Sequence, residues 1–323
     1  MQLSKYRLSF FSISGLVIII GFIFIILGGL NPGIDFTGGS TLTLKIPNVD
    51  SSSEVRNSLS NTQYDNSIIQ NFGNNTFFIR TVMIDDDQKK NILQNLDTIT
   101  PDKDVELLAF DLISPLIANE TVVNAIWAVF AATIGIFIFI WWAFRNVPNP
   151  VRYSVVAISA LLHDTLIVVG IFALLGFFLN YEINTMFIIA FLTVLGYSVN
   201  DSIVVLDRLR SNIIDFGGMR LNQMVDLSVS QTFGRSLNTS ITLLVTLLAM
   251  YIFGGDTLKP FILVLIVGVI SGTYSSIAIA TQILVIWDER NQLRPDYFEL
   301  IFNSSIRFDR SLISLFSIKD TKL

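Results

Sequence analysis

Residues 183–206 read INTMFIIAFLTVLGYSVNDSIVVL. The block is long and apolar enough to cross a hydrocarbon core, which takes about 20 helical residues at 1.5 Å each. It also holds Asn200 and Asp201 side by side. An ionisable residue is costly at that depth, and it usually faces a bundle interior or a wet path. This block therefore predicts a membrane helix with a polar task.

Five further apolar blocks flank it, at Phe10–Leu30, Thr121–Phe144, Tyr153–Leu179, Val229–Phe253 and Leu258–Trp287. The composition agrees with a polytopic α-helical membrane protein of six spans. The 323 residues are 52% hydrophobic and 15% charged, with 26 Phe, so too few charges exist to clothe a soluble surface. A net charge of −5 excludes a basic nucleic-acid footprint. The absence of Cys excludes disulfides, thiolate metal sites and cysteine nucleophiles. The first block exceeds a signal-peptide core and is followed by no Ala-x-Ala site, so it reads as an uncleaved anchor.

Lys5, Arg7, Arg145, Arg152, Arg208, Arg210 and Arg220 fall at one end of the six spans. The opposite turns, Asn180-Tyr-Glu182 and Gly254–Leu258, are almost free of positive charge. The positive-inside rule then places both termini in the cytoplasm and the segment 31–120 outside. That segment carries 13 acidic and 6 basic residues, a balance of −7 in a chain of −5 overall. Thr41–Ile46, Ser67–Gln70, Thr76–Val82 and Val105–Ile113 read as strands. Ser53–Leu59 and Asp85–Leu96 read as helices, with Ser51 or Ser52 able to cap the first. The order β-α-β-β-α-β is that of a small ferredoxin-like domain. The expected plan is 1–30 for the N-terminus and first helix, 31–120 for the inserted domain, 121–289 for the other five helices, and 290–323 for a cytoplasmic tail.

The junction Asn31-Pro-Gly-Ile-Asp-Phe-Thr-Gly-Gly39 lacks the Lys-Ser/Thr of a phosphate loop. It reads either as a Gly/Pro-rich exit from the first helix or as a binding or hinge segment around Gly33, Asp35, Phe36, Gly38 and Gly39. Gly28-Gly29 reads as a helix end. Inside the spans, Asp201 lies five residues before the expected end of the fourth, and Arg235 lies at similar depth in the fifth. A short loop joins these two spans, so the opposite charges can meet, either as a passive clamp or as a proton-responsive switch. Asn238 and Thr239 share the Arg235 face at i+3 and i+4. His163 and Asp164 lie deeper in the third span. Span six carries Gly268-x-x-x-Gly272, a small-residue face for close helix approach, then Tyr274 and Ser275. One His and no Cys cannot make a metal site. Neither His-Glu-x-x-His nor Gly-x-Ser-x-Gly occurs, so an enzyme is not expected.

Taken together, Gly33–Gly39, Leu161-Leu-His-Asp-Thr165, Gly196–Arg210, Arg235-Ser-Leu-Asn-Thr-Ser240 and Gly272-Thr-Tyr-Ser-Ser276 closely resemble the SecF family of protein-export membrane subunits, relatives of resistance-nodulation-division transporters. The likeness runs to about Glu289. It implies work with SecD beside SecYEG, often with YajC, on translocating preproteins, in the lipid of a bacterial inner membrane. It implies no cofactor, with protons as coupling ion, and puts Asp201 and Arg235 at the proton-coupling positions. A single six-span half implies a separate SecD, with the Gly268/Gly272 face expected to help span packing against it. The alternatives are a membrane scaffold, or half of a small-molecule or lipid exporter, whose larger outer domains this chain lacks.

Overall fold

The computed structural model describes residues 3–292, apart from 61, 101–104, 146, 148 and 217–218. In chain order the elements are α1 (Arg7–Ile26), β1 (Asn31–Pro32), α2 (Ile34–Thr37), β2 (Gly39–Lys45), α3 (Ser52–Leu59), β3 (Ile68–Gly73), β4 (Thr76–Thr81), α4 (Asp86–Asp97), β5 (Glu106–Ile113), α5 (Pro115–Ala143), α6 (Pro150–Leu179), β6 (Glu182–Ile183), α7 (Thr185–Asp215), α8 (Leu221–Phe253), α9 (Lys259–Ser275) and α10 (Thr281–Gln292). A π-helical turn at Ser276–Ala280 joins the last two. Among the described residues, six helical segments are long and apolar enough to cross a membrane: α1 with its preceding turn, α5, α6, α7, α8, and α9 continued into α10.

Local chemistry sets where these helices begin and end. Ser114 caps α5 and Pro115 opens it, where a missing N–H costs nothing. Asn184 accepts from Phe187 N at 3.0 Å to cap α7, and Asn180 closes α6 in the left-handed region at φ 55°. Several helices outrun the apolar blocks. The fourth was expected to stop at Leu206 but continues to Asp215, and the fifth starts at Leu221 rather than near Val229. Polar contacts hold these extensions together: Asn212 Nδ2 donates to Ser228 Oγ at 2.7 Å, and Arg208 Nε to Gln231 Oε1 at 2.7 Å. The same end of the bundle carries Arg152–Asp288 at 3.2 Å, Arg7–Glu289 at 2.7 Å and a bond from Ser4 Oγ to Asp226 at 2.9 Å. The basic loops do gather at one end. The expected tail, 290–323, lies beyond these contacts, and all but its first three residues fall outside the described set.

Helices α6, α7 and α9 form the centre of the bundle. Half of the apolar stretch of α6 and of α7, and 67% of that of α9–α10, is buried within the chain, against 17% or less for α1, α5 and α8. Exposed Leu, Ile, Phe and Trp side chains along α1 and α5 make a surface suited to lipid. Glycine brings α1 and α6 together at two places. A Cβ on Gly21 would stand 2.5 Å from Gly170 Cα, and one on Gly29 would stand 2.1 Å from the Ala173 carbonyl oxygen. Gly28, at φ 84°, ends the helix as expected, but its neighbour is a packing residue against α6.

The inserted domain is a small antiparallel sheet, β3-β4-β2-β5, with α3 and α4. One sheet face and the two helices share a core of Leu42, Leu44, Ile46, Val55, Leu59, Phe77, Ile79, Ile92 and Leu96. Ser51 caps α3, and Asp85 with Gln88 forms a reciprocal capping box on α4. Asn74 and Asn75, both at positive φ, make the two-residue turn of the β3–β4 hairpin. The element order matches the sequence reading.

Candidate functional site

Four polar side chains converge on one carboxylate in the bundle centre. Asp164 is fully buried on α6. Its Oδ1 accepts from Ser271 Oγ at 2.6 Å and lies 3.0 Å from His163 Nδ1. Its Oδ2 accepts from Ser198 Oγ and from Ser275 Oγ, the latter at 2.7 Å. The side chain thus ties α6 to both α7 and α9, and its oxygens are saturated by partners. His163 Nε2 is buried with no hydrogen-bond partner among the described residues. Beside it, Tyr274 Oη donates to the Phe10 carbonyl at 2.9 Å and is 3.2 Å from Ser14 Oγ.

Asp201 is arranged differently. It is 5% exposed, and its one hydrogen bond among the described residues comes from Ser276 Oγ to Oδ2. Ser275 and Ser276 are sequence neighbours that serve two carboxylates on two helices, at the point where α9 passes into the π-helical turn. Such turns recur at functional sites because they re-aim side chains within a continuous helix. Close approach of α7 and α9 makes both contacts possible. A Cβ on Gly268 would stand 2.1 Å from Val194 Cγ2, and one on Gly272 would stand 2.9 Å from Ser198 Cβ.

Three expectations are corrected here. Asp201 is 16 residues from the start of α7 and 14 from its end, so it sits at mid-helix, about 21 Å from the end rather than about 8 Å. Asp201 and Arg235 do not pair: among the described residues Arg235 makes no ion pair and its side chain is exposed. The reason is rotation. Helix α8 buries Ser228, Thr232, Ser236 and Ser240, and Arg235 stands about 100° round from Ser236. The Gly268/Gly272 face is occupied by α7 of the same chain and is not available to a partner.

Arg235, Asn238 and Thr239 therefore point away from the chain, as does Asn200 on α7. Thr239 donates to backbone carbonyls of its own helix, but the side chains of Arg235, Asn238 and Asn200 have no hydrogen bond among the described residues. Tyr197 Oη is 2.9 Å from Ser240 Oγ, which is 2.6 Å from Thr273 Oγ1, so a hydroxyl chain runs behind this outward face.

The junction motif is ordered structure rather than a plain exit. Gly33 N donates to the Ile183 carbonyl at 2.7 Å, and β1 pairs parallel with β6. Asp35 Oδ2 accepts from Thr185 N at 2.6 Å, at the first turn of α7. Phe36 is part-buried. Gly38 and Gly39 take φ 73° and 132°, and a Cβ on Gly39 would stand 2.7 Å from the Thr81 carbonyl oxygen.

Comparison with known proteins agrees with this arrangement. Residues 92–290 match the family described as protein export membrane protein SecD/SecF, C-terminal, and residues 23–46 match the SecD/SecF GG motif. A protein translocase subunit SecF of Thermobaculum terrenum is 39% identical over 305 residues, covering 90% of this chain and 95% of that protein. The chain belongs to the SecF family. A SecF of Anaerolinea thermophila is 38% identical over 87% of the chain and 92% of its own length. The crystal structure of SecDF from Thermus thermophilus, described as a translocon-associated membrane protein, superposes with a TM-score of 0.80 at 30% identity. It is matched over 90% of this chain but only 39% of its own. A super-membrane-facing form of SecDF gives a TM-score of 0.63 over the same 90%. The present chain is a SecF-like subunit of the Sec translocon. The matched segment 23–46 includes Gly38 and Gly39, whose positive φ and missing Cβ explain the residue type.

Proposed function

We propose that this chain is one half of a two-bundle unit with SecD, beside SecYEG and with YajC, that uses the proton-motive force to release preproteins on the outer face of a bacterial inner membrane. The carrying observation is the outward face of Arg235, Asn238 and Asn200 near the middle of α7 and α8. Lipid cannot satisfy a guanidinium and two amides there, whereas a second bundle can. The solved SecDF chain, of which this chain matches 39%, has length to spare for that second bundle. Asp201 is the carboxyl assigned to proton exchange. It holds one hydrogen bond and keeps a trace of exposure, while Asp164 is saturated and serves as a fixed cross-tie. His163, Tyr274 and Ser275 support the cross-tie. Arg235 and Asp201 stand apart, and Arg235 is assigned to the SecD-facing surface rather than to a pair with the carboxyl. Copurification tests the carrying observation: Arg235→Leu should weaken SecD association, and full association would remove the argument.

The membrane sidedness belongs to the same reading. Both termini are assigned to the cytoplasm and the inserted domain to the periplasm, because the basic end of the bundle should stay inside. A single cysteine at Asn74 in this naturally Cys-free chain should react with an impermeant reagent from outside, and one at Arg210 only after the membrane is opened. Labelling of Arg210 from outside would invert the topology.

The inserted domain is assigned to the ferredoxin-like class, supported by its β-α-β-β-α-β order and the sheet order β3-β4-β2-β5. An excised 39–113 fragment, which keeps both full outer strands, should give a mixed helix–strand circular dichroism spectrum and a cooperative melt. Asp85→Ala should lower its stability by about 0.5–2 kcal/mol through loss of the helix cap. A featureless spectrum would mean that the domain folds only on its bundle.

A further inference from the structure

The inserted domain is held on the bundle by contacts that converge on the short β6 segment between α6 and α7. β1 pairs with β6 through Asn31↔Glu182 and Pro32↔Ile183. Gln70 on β3 donates to the Asn180 carbonyl at 2.7 Å. Arg80 on β4 donates to the Pro32 carbonyl at 2.6 Å and places Nη1 3.2 Å from Glu182 Oε1. Asp35 takes the amide of Thr185. Every one of these groups sits at or beside the start of α7, the continuous helix that carries Asp201.

Glu182 is the anomalous member. Its side chain is 12% exposed and that of Arg80 is 18% exposed. Arg80 Nη1 aims its hydrogen bond at the Pro32 carbonyl, and Glu182 Oε1, though 3.2 Å from that nitrogen, is buried with no well-aimed hydrogen bond among the described residues. Oε2 lies against the bare Cα of Gly33, where a Cβ would come within 3.2 Å of it. A buried ionised carboxylate with an unsatisfied oxygen is costly, and half-satisfied ion pairs do not recover that cost.

We propose that Glu182 is a second proton-binding site of this chain, outside the membrane-spanning segments, and that the proton it takes up tightens a clasp between the inserted domain and the start of α7. The charged and titratable groups around it are Arg80 from β4, Asp35 from α2 and Tyr181 beside it; Asp111 of β5 and Lys259 of α9 line the same cleft of about 390 Å³ between sheet and bundle. Burial pushes the Glu182 carboxyl above the usual carboxylate range; Arg80 partly opposes this and Asp35 adds to it. With the domain lifted, Glu182 is solvated and returns to its ordinary value. The closed clasp then binds the proton more tightly than the open one, so acidification stabilises docking. Raising the pH through the elevated value weakens it. The site stands apart from the mid-membrane carboxyls and does not depend on their role.

Spin labels at Asn57→Cys on the domain and Phe253→Cys at the same end of the bundle, in the full Cys-free chain in lipid nanodiscs, read the clasp as a distance distribution. The close population should dominate in acid, and a longer one should appear as the pH rises. Glu182→Gln, an isostere of the protonated form, should keep the close population at every pH. Asp35→Asn should move the transition to lower pH, since it removes the like charge. A pH-invariant distribution in the parent chain, or a Glu182→Gln profile matching the parent, would overturn the proposal. So would loss of the profile in Asp201→Asn, which would move the titration into the membrane.

Discussion

Asp201→Asn is expected to insert and to associate with SecD at parental abundance, yet to lose the gradient-stimulated part of preprotein release down to the level seen without a gradient. The amide keeps the size of the side chain and can still accept from Ser276, so the α7–α9 contact survives. What it cannot do is cycle a proton at the carboxyl. The companion Asp164→Asn should behave in the opposite way. It places an NH₂ donor among Ser198, Ser271 and Ser275, which already donate to that position, so packing and abundance should fall first. Arg235→Lys keeps the charge but loses the planar donor fork, and should give partial coupling. The assay scores complex abundance and late release in the same membranes, with and without a proton gradient. Full gradient-stimulated release by Asp201→Asn at normal abundance removes Asp201 from the coupling role.

Gly272→Leu should strongly destabilise the α7–α9 packing. A Cβ there meets Ser198 at 2.9 Å from Cβ and 3.1 Å from Cα, the latter a backbone atom that cannot rotate away. Helices α7 and α9 must then separate, which stretches the Ser276–Asp201 hydrogen bond that runs between them. Overpacking of this kind costs about 1–3 kcal/mol before the lost hydrogen bond is counted. Gly268→Leu, which meets Val194 Cγ2 at 2.1 Å and its Cβ at 2.8 Å, should destabilise the same interface. Gly135→Leu on α5, where nothing lies within 4 Å, is the neutral comparison. Thermal unfolding in detergent, with abundance in membranes, measures all three. Equal stability of Gly272→Leu and Gly135→Leu would sink the packing argument.

Several features were legible because they are local. A membrane demands a length, and six apolar blocks meet it. The strands and helices of 31–120 announced themselves by alternation and by caps such as Ser51 and Asp85. The polar residues worth watching, Asp164, Asp201, Arg235 and Ser275, stood out as exceptions to the apolar pattern. Their partners did not. The short loop between α7 and α8 made these helices neighbours but said nothing of their rotation, and rotation turns Arg235 outward while Ser236 turns in. Arg80 and Glu182 are 102 residues apart, and no spacing rule links them.

The sequence by itself determined the solvent of each segment: which blocks lie in hydrocarbon, which stretch folds in water, and which end of the bundle is basic. That follows from transfer free energies and short-range backbone preferences, which act within a helix length. Only the tertiary structure decided which carboxylate is tied and which retains access, because that depends on how closely α7 and α9 approach through Gly268 and Gly272 and on the π-helical turn that aims Ser275 and Ser276 at different acids. Hydrogen bonds act over about 3 Å. The residues that make them here come from helices more than 70 positions apart, so packing had to bring them together before any role could be read.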